Sequence, residues 1–500
     1  MKIIIVGAGI AGLSAGIFAR QSGFEVTIFE AHTIPGGNAT GWKRNGYYFE
    51  GGMHWLVGSS KETAVNKLWH EVGALQENNP IYNRDPFLTY INGEEKIALY
   101  RDTDKLKEHL LAISPQDKKA INLLMKDICS LKKASSMPVT DLKGVKVKHK
   151  NAMAISQVLE YVKASRAMMR LSKISINDYV VRFKHEGIKE LLNAIIPMGE
   201  YSAMSLIFTL SGLAVNDAGY PKGGSLQLAQ NMANTFINLG GVIKYNKKVD
   251  HVEIVKTQAK GIWVDGSLHE GDAVIITSDA LVAIDRLFSQ PLHEKWMDRL
   301  RQEIKPVNCT FISLGVKLDM SYLPENMILP IKKSFTFNGK EYKSISVNNY
   351  STFDGYAPKG CTSLTTILFE DTYDEWKQSY KDGTYKNKKA DLAKTIIQLL
   401  EDELPEIKGK VEEWDVATPL TYERFCGTFR GSWMSVMKPN ARSQIYPSKS
   451  ESIANLYFAG QRLMVPGGMP AALMTSRTAV QHLCKDTNCV FQGEIDIIKN

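Results

Sequence analysis

The chain has 500 residues, of which 44% are hydrophobic and 23% charged, and its formal net charge is +8. This length and composition are typical of a globular protein with a large core and two or more domains. A mean hydropathy of -0.19, and an apolar stretch at Met204–Val215 that Ser205, Thr209 and Ser211 interrupt, argue against a membrane-spanning protein.

The sequence shows no pattern of a secretory signal or of a metal centre. Lys2 is followed by only four apolar residues before glycines begin, so we expect a cytoplasmic protein. None of the six cysteines forms a C-x-x-C pair, and the ten histidines include no H-E-x-x-H. We therefore expect free thiols and no metal site.

The first elements form a strand–turn–helix unit. Lys2–Val6 is a β-branched run typical of a buried strand, and Gly7-Ala8-Gly9-Ile10-Ala11-Gly12 follows it directly. A helical pattern runs over Ile10–Gln21, and a second strand, Glu25–Phe29, ends at Glu30, eighteen residues after Gly12. The context favours a dinucleotide-binding fingerprint over a glycine-rich turn with only a structural role.

Each residue of this fingerprint has a physical reason. Gly7 permits the tight turn, Gly9 lets the backbone approach a pyrophosphate, and Gly12 lets helix and strand pack closely. The helix N-terminus offers N–H donors to the anion. The Glu30 carboxylate is expected to accept hydrogen bonds from both ribose hydroxyls and to repel the 2′-phosphate of NADP. We predict cofactor contacts here at Gly7, Gly9, Ile10, Ala11, Gly12, Glu30 and Ala31.

A second glycine pair follows closely. Pro35-Gly36-Gly37-Asn38 precedes Gly46-Tyr47-Tyr48-Phe49-Glu50-Gly51-Gly52-Met53-His54-Trp55, and NAD binding needs no such pair. These segments resemble the second fingerprint of the amine oxidase and phytoene desaturase superfamily of flavoproteins, which implies FAD. Asn38 is a departure, because many relatives carry Arg there, so the pyrophosphate charge must be met elsewhere or by a helix dipole. The resemblance implies cofactor contacts at Gly36, Gly37, Asn38, Gly51, Gly52 and Met53.

A basic segment lies at residues 141–190. It holds eleven Lys and Arg side chains against five Asp and Glu, without a nucleic-acid-binding motif, so we expect no nucleic acid. Within it, a helical pattern over Ile155–Leu171 has one apolar face and one basic face. The face pattern fits a peripheral membrane helix or an ordinary amphipathic helix with a solvated basic face. The apolar face carries Ile155, Val158, Leu159, Val162 and Met169, and the basic face Lys163, Arg166 and Arg170.

The middle of the chain adds a strand–helix block. Tyr220–Ser225 precedes a helical pattern over Leu226–Asn238, and strand patterns follow at Lys248–Val252 and Ala273–Ile276. Strand–hairpin units of this kind are common, so the block is informative mainly by its order in the chain. In the superfamily the corresponding valine touches the adenine, which implies that role for Val249.

The C-terminal part carries two further motifs. Ala417–Gly427 looks like the T-P-x-T-x-x-R-[FY]-x-G stretch of carotenoid desaturases and isomerases. Asn455–Arg462 is typical of a buried strand, and Pro466-Gly467-Gly468 opens a helical pattern that ends at Leu483. This resembles the closing flavin motif of phytoene desaturase-like enzymes, with Gln461 where wider families often have an acid. The implied cofactor contacts are Gly460, Gln461, Gly468, Met469 and Ala471.

Together these motifs resemble the phytoene desaturase, carotenoid isomerase and retinol saturase-like family of FAD-dependent oxidoreductases. The implied fold class is α/β, a Rossmann-like, amine-oxidase-like FAD-binding domain with an inserted α+β substrate domain. We predict that residues 1–90, 212–285 and 415–500 form the FAD-binding domain. The substrate domain then comprises residues 91–211 and 286–414, with strands at Thr310–Leu318 and Ser363–Glu370 and a helix at Lys388–Leu400.

Candidate catalytic residues are His54, Trp55 and Arg424. By motif position His54 and Trp55 should lie near the flavin ring, where His54 could protonate a carbon and Trp55 could stack on a polyene. A hydrogen-bonded core histidine and a packing tryptophan are the alternatives. Arg424 could bind the pyrophosphate or a polar substrate end, or only an acid within its motif. Tyr422 and Trp433 are further candidates for the cavity lining.

The family resemblance implies desaturation, saturation or isomerisation of an apolar polyene-type lipid. A flavin amine or amino-acid oxidase, and a non-enzymatic prenyl-binding escort protein, are the alternatives. No second dinucleotide fingerprint is present. We therefore expect an external electron partner, which could be a quinone, oxygen or a transiently bound nicotinamide.

Overall fold

The computed structural model describes residues 1–132, 139–147, 155–436, 439, 445–465 and 467–493. The helices in this part of the chain are α1 (Ile10–Gln21), α2 (Ala64–Glu71), α3 (Thr103–Ile113), α4 (Lys118–Leu131), α5 (Ile155–Leu171), α6 (Ile176–Val180), α7 (Glu186–Ile195), α8 (Ala203–Leu213), α9 (Gly224–Asn238), α10 (Ala280–Arg286), α11 (Lys295–Glu303), α12 (Tyr373–Lys381), α13 (Tyr385–Glu403), α14 (Pro419–Cys426) and α15 (Met469–Asp486).

The strands in the same ranges are β1 (Lys2–Val6), β2 (Glu25–Phe29), β3 (Gly41–Arg44), β4 (Tyr47–Glu50), β5 (Ile81–Tyr82), β6 (Leu88–Asn92), β7 (Glu95–Leu99), β8 (Lys146–Val147), β9 (Tyr220–Pro221), β10 (Val242–Lys244), β11 (His251–Val255), β12 (Gln258–Val264), β13 (Ser267–Glu270), β14 (Ala273–Ile276), β15 (Lys305–Val307), β16 (Cys309–Val316), β17 (Asn326–Phe337), β18 (Lys340–Asn349), β19 (Thr362–Phe369), β20 (Val411–Ala417), β21 (Met434–Val436), β22 (Leu456–Phe458) and β23 (Val490–Phe491).

A parallel sheet of five strands joins the two ends of the chain to its middle. Its order is β10-β2-β1-β14-β22, and every neighbouring pair is parallel. Because parallel strands end at the same edge, the turns after β1, β2 and β22 meet there, which is where ligands bind in open α/β sheets. The confirmed Rossmann-like fold thus gathers segments that lie far apart in the sequence.

The parallel sheet is buried on both faces, as its continuous apolar strands predict. Ile3 and Ile5 pack into one core with α1, α9 and α15. Ile4 and Val6 pack into another with the hairpin strands β11 and β12 and with α10 and α11. The alternation follows from the two-residue period of a strand.

A second, mixed sheet of seven strands has the order β20-β16-β19-β18-β17-β6-β7. Helices α12 and α13 pack on one side of it, where Trp376 of α12 and Ile396 and Leu400 of α13 are fully buried. Helices α3–α8 form a separate apolar core with β6 and β7. The seven-stranded sheet, the helices α3–α8 and the parallel sheet surround the cavity described below.

Several elements agree with the sequence patterns, and two differ. The bounds of α1 and α5 coincide with the predicted ranges. The strand predicted at Lys248–Val252 begins only at His251, which leaves Val249 in the preceding turn. The sequence patterns did not predict the long β17–β18 hairpin, whose strands mix polar and apolar residues irregularly. The seven-stranded sheet includes residues 88–92 and 411–417, which straddle the predicted domain boundaries after residues 90 and 414.

Among the described residues, no helix has the length and apolar character needed to cross a membrane. The apolar stretch at Met204–Val215 forms most of α8, which is 11 residues long.

Candidate functional site

One cavity of about 1720 Å³ runs from the edge of the parallel sheet to the second sheet and the helices. Pockets for single small ligands measure roughly 300–1,000 Å³, so this cavity has room for a dinucleotide and a second molecule. It therefore offers a place where a cofactor and a substrate can meet.

Two glycine turns lie side by side at the sheet end of the cavity. Gly36 forms a bridge with Gly9, and its N–H donates to the Ala8 carbonyl at 2.9 Å. Gly7 and Gly36 have φ of +102° and +120°, which side chains rarely adopt. A Cβ at Gly9 would meet only Gly36, at 3.7 Å, so its backbone is open to a ligand.

Two helices point their N-termini at the same space. Gly9 precedes α1 and Gly468 precedes α15, and neither helix has a side chain that caps its first N–H groups. Both glycines, with Ile10 and Met469 after them, line the cavity. Uncapped N–H groups and the positive ends of two helix dipoles suit the negative charge of a pyrophosphate or of a reduced flavin.

Glu30 follows β2 and is only 9% exposed. Its carboxylate accepts from the backbone N–H groups of Ala8, at 2.6 Å, and His32, at 2.8 Å. Burial raises the pKa of this carboxyl, although the two backbone donors act against that rise. The Glu30 carboxylate therefore links the turn after β1 to the turn after β2. Its position on the cavity wall with Val249 fits the ribose end of a dinucleotide.

The structure brings the residues predicted from distant motifs to this one cavity. Gly12 and Gly51 are the two predicted cofactor contacts that do not line it. A Cβ at Gly12 would lie 1.9 Å from the Gly7 carbonyl oxygen, and one at Gly51 would lie 2.5 Å from the Trp42 ring, so both glycines serve close packing. The remaining predicted residues line the cavity: Gly7, Gly9, Ile10, Ala11, Glu30, Ala31, Gly36, Gly37, Asn38, Gly52, Met53, His54, Trp55, Val249, Arg424, Gly460, Gln461, Gly468, Met469 and Ala471.

His54 lies on the cavity wall beside Trp433, with ring centroids 5.5 Å apart. Both imidazole nitrogens are buried and have no hydrogen-bond partner among the described residues. Burial, aided by the nearby charge of Arg84, lowers the pKa of His54 to about 3. The ring is thus neutral at physiological pH, with one nitrogen as a donor and the other as an acceptor.

Behind His54, the buried acid Glu50 holds the turn that carries it. The Glu50 carboxylate accepts from the backbone N–H of Gly52 at 2.8 Å and from the Tyr220 hydroxyl at 2.6 Å. Burial raises the pKa of Glu50. The sequence pattern includes this acid, but only the structure shows that it fixes the backbone immediately before His54.

Trp55 and Arg424 lie in different surroundings. Trp55 packs edge-on against Phe87, with centroids 5.5 Å apart, next to the helical core. Arg424 is an exposed residue of α14, whose following residues Phe425 and Cys426 contact His32 and Gly37. Arg424 therefore belongs to the part of the wall beside the glycine turns.

Sequence reasoning missed two buried arginines. Arg84 donates to the His54 carbonyl at 3.2 Å and stacks between the rings of Tyr220 and Phe353. Arg462, with its side chain 1% exposed, pairs with Asp279 at 2.7 Å. No motif signals Arg84, whereas Arg462 ends the quoted strand motif and could have been singled out.

The far arm of the cavity, called the apolar arm below, is lined mainly by apolar side chains, and its polar lining residues include Ser205, Thr209, Asn326, Ser346 and Asn348. It continues between the end of α7, helix α8 and the strands β17, β19 and β21. Its wall includes Ile195, Met204, Phe208, Met327, Phe369 and Val436.

The glycine turns, the uncapped helix ends and Glu30 fit a dinucleotide, and the orphaned nitrogens of His54 fit a ring system with donors and acceptors, as FAD has. Among the described residues no cluster could hold a metal ion, and all six cysteines are free thiols.

Comparison with known proteins agrees with this geometry. Residues 10–484 match the family described as flavin containing amine oxidoreductase. The all-trans-retinol 13,14-reductase of Danio rerio is 23% identical, over 93% of this chain and 83% of that protein. A 4,4′-diapophytoene desaturase of Methylomonas sp is 24% identical, over 96% and 94%. These relatives confirm the predicted resemblance.

Solved structures show the same fold. An oxidoreductase from Methanosarcina mazei has a TM-score of 0.59 at 16% identity, with 95% of this chain and 99% of that chain covered. Cyclohexylamine oxidase from Brevibacterium oxydans has a TM-score of 0.60 at 14% identity, with 97% and 99% covered. The chain therefore belongs to the flavin containing amine oxidoreductase family and is an FAD-dependent oxidoreductase.

Proposed function

We propose that this enzyme uses FAD to add hydrogen to, or remove it from, carbon–carbon bonds of an extended, apolar polyene-type lipid. The observation that carries the proposal is that the flavin motifs and the apolar arm line one and the same cavity. That arm is lined mainly by aliphatic, aromatic and methionine side chains from α8, β17 and β19. Two relatives are named for reduction of all-trans-retinol and desaturation of 4,4′-diapophytoene, which supports the substrate class.

The acidic side chains of the cavity wall distinguish this proposal from amine oxidation. Four acids of the described chain line the cavity, and each has a partner already. Glu30 holds two backbone N–H groups, Asp279 pairs with Arg462, Asp415 pairs with Arg44, and Glu423 accepts from Tyr373. None belongs to the apolar arm, so a cationic amine there would lack a carboxylate partner.

FAD, when bound, supplies the acceptor or donor of a hydride to the substrate carbon. The chain contributes position and a dry environment. His54 gives a neutral hydrogen bond at the reacting end of the cavity, because its low pKa disfavours an imidazolium that could protonate a carbon directly. Trp55 and Phe87 form the wall where the apolar arm begins.

Arg424 is assigned to the phosphate end rather than to the reacting atoms. Asn38 brings no charge to the glycine pair, and Arg424 stands on the same part of the wall with no ion pair among the described residues. A guanidinium there would offset the pyrophosphate charge that the helix N-termini only partly meet.

The proposal includes an external electron partner, which could be a quinone, oxygen or a nicotinamide, and a peripheral membrane contact through residues 141–190. On α5, Val162 and Met169 are 43% and 58% exposed, as a membrane-facing side requires. Arg166 is exposed, whereas Arg170 is engaged by Asp127. The side chains of Ile155, Val158, Leu159 and Lys163 lie outside the described residues.

The test is an anaerobic half-reaction. The FAD-loaded protein is reduced without oxygen and mixed with all-trans-retinol or an acyclic carotenoid, while flavin and polyene absorbance are followed together. In the opposite direction, the oxidised protein is mixed with a dihydro form of the same lipid. A primary amine such as putrescine serves as the control substrate.

Loss of polyene absorbance with return of the oxidised flavin spectrum supports saturation, and the reverse exchange supports desaturation. Polyene isomers that appear without net oxidation or reduction support isomerisation. Reduction of the flavin by the amine, with no exchange with any polyene, contradicts the proposal and favours the oxidase. A protein that cannot be loaded with FAD would leave the escort-protein alternative.

A further inference from the structure

Two positions where this chain differs from motifs of related flavoproteins meet at a single carbonyl oxygen. The Asn38 side-chain amide donates to the Trp433 carbonyl at 3.0 Å, and the Gln461 amide donates to the same oxygen at 3.1 Å. Asn38 belongs to the N-terminal glycine pair and Gln461 to the C-terminal flavin motif. Asn38 lies 395 positions before Trp433 in the chain, and Gln461 lies 28 positions after it. Two distant segments therefore donate to the same oxygen atom.

The contacts of Gln461 use both the donor and the acceptor of its amide side chain. Gln461 also accepts, through Oε1, from the backbone N–H of Gly468 at 3.1 Å, so it links Trp433 to the start of α15. An Arg at position 38 could also donate to the carbonyl but would add a positive charge, and a charged acid at position 461 would have no donor. The two departures thus form a neutral amide clamp, which we define as Asn38 and Gln461 on the Trp433 carbonyl.

Trp433 is fixed at its other end as well. Its indole N–H donates to the Gly52 carbonyl at 3.1 Å, two residues before His54. The indole ring packs against the rings of His54, Phe369 and Phe311, with centroids 5.5 to 6.1 Å away. Trp433 remains partly exposed because it faces the cavity.

Side chains hold the carbonyls of the segment around Trp433, whose backbone N–H donates to the Val307 carbonyl at 2.8 Å. Ser432 and Trp433 are not part of a strand, and their carbonyls accept from Asn38. The next carbonyl, of Met434, accepts from Arg462 at 3.0 Å. Three consecutive carbonyls are thus held by side chains of the two flavin motifs, so the wall of the reacting end is built onto the cofactor site itself.

We propose that Asn38 and Gln461 are a pair of positioning residues that set the place of the Trp433 indole, and with it the shape of the cavity wall that Trp433 and His54 form together. This wall carries no charge from the clamp, which suits an uncharged polyene and not a charged substrate. This inference rests on the proposed function for the identity of the substrate, but the geometry of the clamp does not depend on it.

Isosteric variants remove the amide donors of the clamp and keep the size of the side chains. Asn38→Asp keeps the side-chain acceptor and loses the amide donor, and Gln461→Glu keeps the acceptor for Gly468 and loses its donor. Either amide alone still satisfies the carbonyl, whereas loss of both leaves it without a side-chain donor. Each single variant should raise KM for the polyene about threefold, and the double variant about thirtyfold, more than the product of the two. The matched control is Gln302→Glu, an exposed glutamine of α11.

A second readout does not depend on turnover. The chain contains eight tryptophans, and the fluorine resonance of Trp433 in 5-fluorotryptophan-labelled, FAD-loaded protein is assigned by its loss in Trp433→Phe. The clamp predicts that this resonance shifts or broadens in both single variants and most in the double variant. The other resonances, including that of the exposed Trp414, should stay in place.

An unchanged Trp433 resonance in the double variant would overturn the inference, as would KM effects that simply multiply. A shifted resonance in a protein that exchanges electrons with no polyene would uphold the clamp and contradict the proposed function instead. Variants that fail to retain FAD are replaced by Asn38→Ser and Gln461→Met, for which the same coupling is expected.

Discussion

The two ends of the cavity are built in different ways. At the cofactor end the wall is largely backbone: glycine turns at Gly9 and Gly36 and the first N–H groups of α1 and α15. At the substrate end it is side chains from α8, β17 and β19. Backbone recognition demands glycines at fixed spacings, whereas an apolar wall needs only bulk and can be built from many side chains.

This difference explains why the cofactor end of the cavity can be predicted from the sequence more completely than the substrate end. A phosphate-binding turn fails when a Cβ is added, so its sequence is narrowly limited. An apolar arm tolerates exchanges of Leu, Met, Phe and Ile, so its sequence carries no motif. The predictions below test whether the two ends respond to substitution as this contrast requires.

The largest effect is expected at the cofactor end, for Gly12→Ala. The added Cβ would lie 1.9 Å from the Gly7 carbonyl oxygen and 2.8 Å from Thr277 Oγ1, and the backbone oxygen cannot move without opening the turn. We expect loss of most bound FAD and a decrease of about 3 kcal/mol in the free energy of unfolding, measured by flavin absorbance and by denaturant unfolding.

The control is Gly212→Ala, in helix α8, where a Cβ would meet Asp217 only at 3.7 Å, an ordinary contact. This variant should retain FAD and be as stable as the wild type, or slightly more stable, because Ala favours a helix. Equal FAD loss in the two variants would show that the cofactor end is not limited by backbone packing.

A smaller, selective effect is expected at the substrate end, for Phe208→Asn. Phe208 is a partly exposed residue of α8 that lines the apolar arm. Its replacement should raise KM for the polyene about tenfold to one hundredfold, from the loss of one apolar contact of about 1.5–3 kcal/mol. FAD content should stay at one per chain, which separates the two ends.

Tyr322→Asn is the matched exposed substitution, since Tyr322 is 61% exposed and does not line the cavity. It should leave KM unchanged. If Phe208→Asn released FAD while KM stayed constant, the division of the cavity into two ends would be wrong.

The smallest effect is a pH dependence at the boundary, where His54 lies. Its folded pKa of about 3 is below the unfolded value of about 6.5, so the neutral ring stabilises the fold fully above pH 6.5. That contribution is lost as the pH falls from 6.5 towards 3, because the unfolded chain binds the proton more strongly. Between pH 7.5 and 5.5 the loss should be about 1.4 kcal/mol, and His54→Gln should lack it.

His293→Gln serves as the comparison, because the His293 side chain is 67% exposed. It should keep the pH dependence of the wild type. Identical unfolding curves for His54→Gln and the wild type at both pH values would mean that His54 is charged or solvated in the folded protein.

The sequence was most informative where geometry forces a residue type. The positive φ of Gly7 and Gly36, the close packing at Gly12 and the acid after β2 follow from the fingerprint, and the Rossmann-like fold and FAD follow from them. The bounds of α1 were predicted because turn and strand signals limit them on both sides.

The other parts of the site could not be predicted from the sequence, because they depend on contacts between distant segments of the chain. Arg84 donates to the His54 carbonyl and stacks on the rings of Tyr220 and Phe353. These aromatic residues come from distant parts of the chain, so no local pattern marks the contact. The clamp on Trp433 needs two motifs 423 residues apart in the chain to meet. The sequence marked Asn38 and Gln461 as departures from the family, but not that they act on one atom.

The most direct test of this account is a titration of the oxidised, FAD-loaded protein with an acyclic polyene under anaerobic conditions, monitored in the flavin absorption bands. The account predicts a perturbation that saturates at one polyene per FAD and is weakened by Phe208→Asn. A polyene that binds without changing the flavin bands would contradict the claim that cofactor and substrate meet end to end in one cavity.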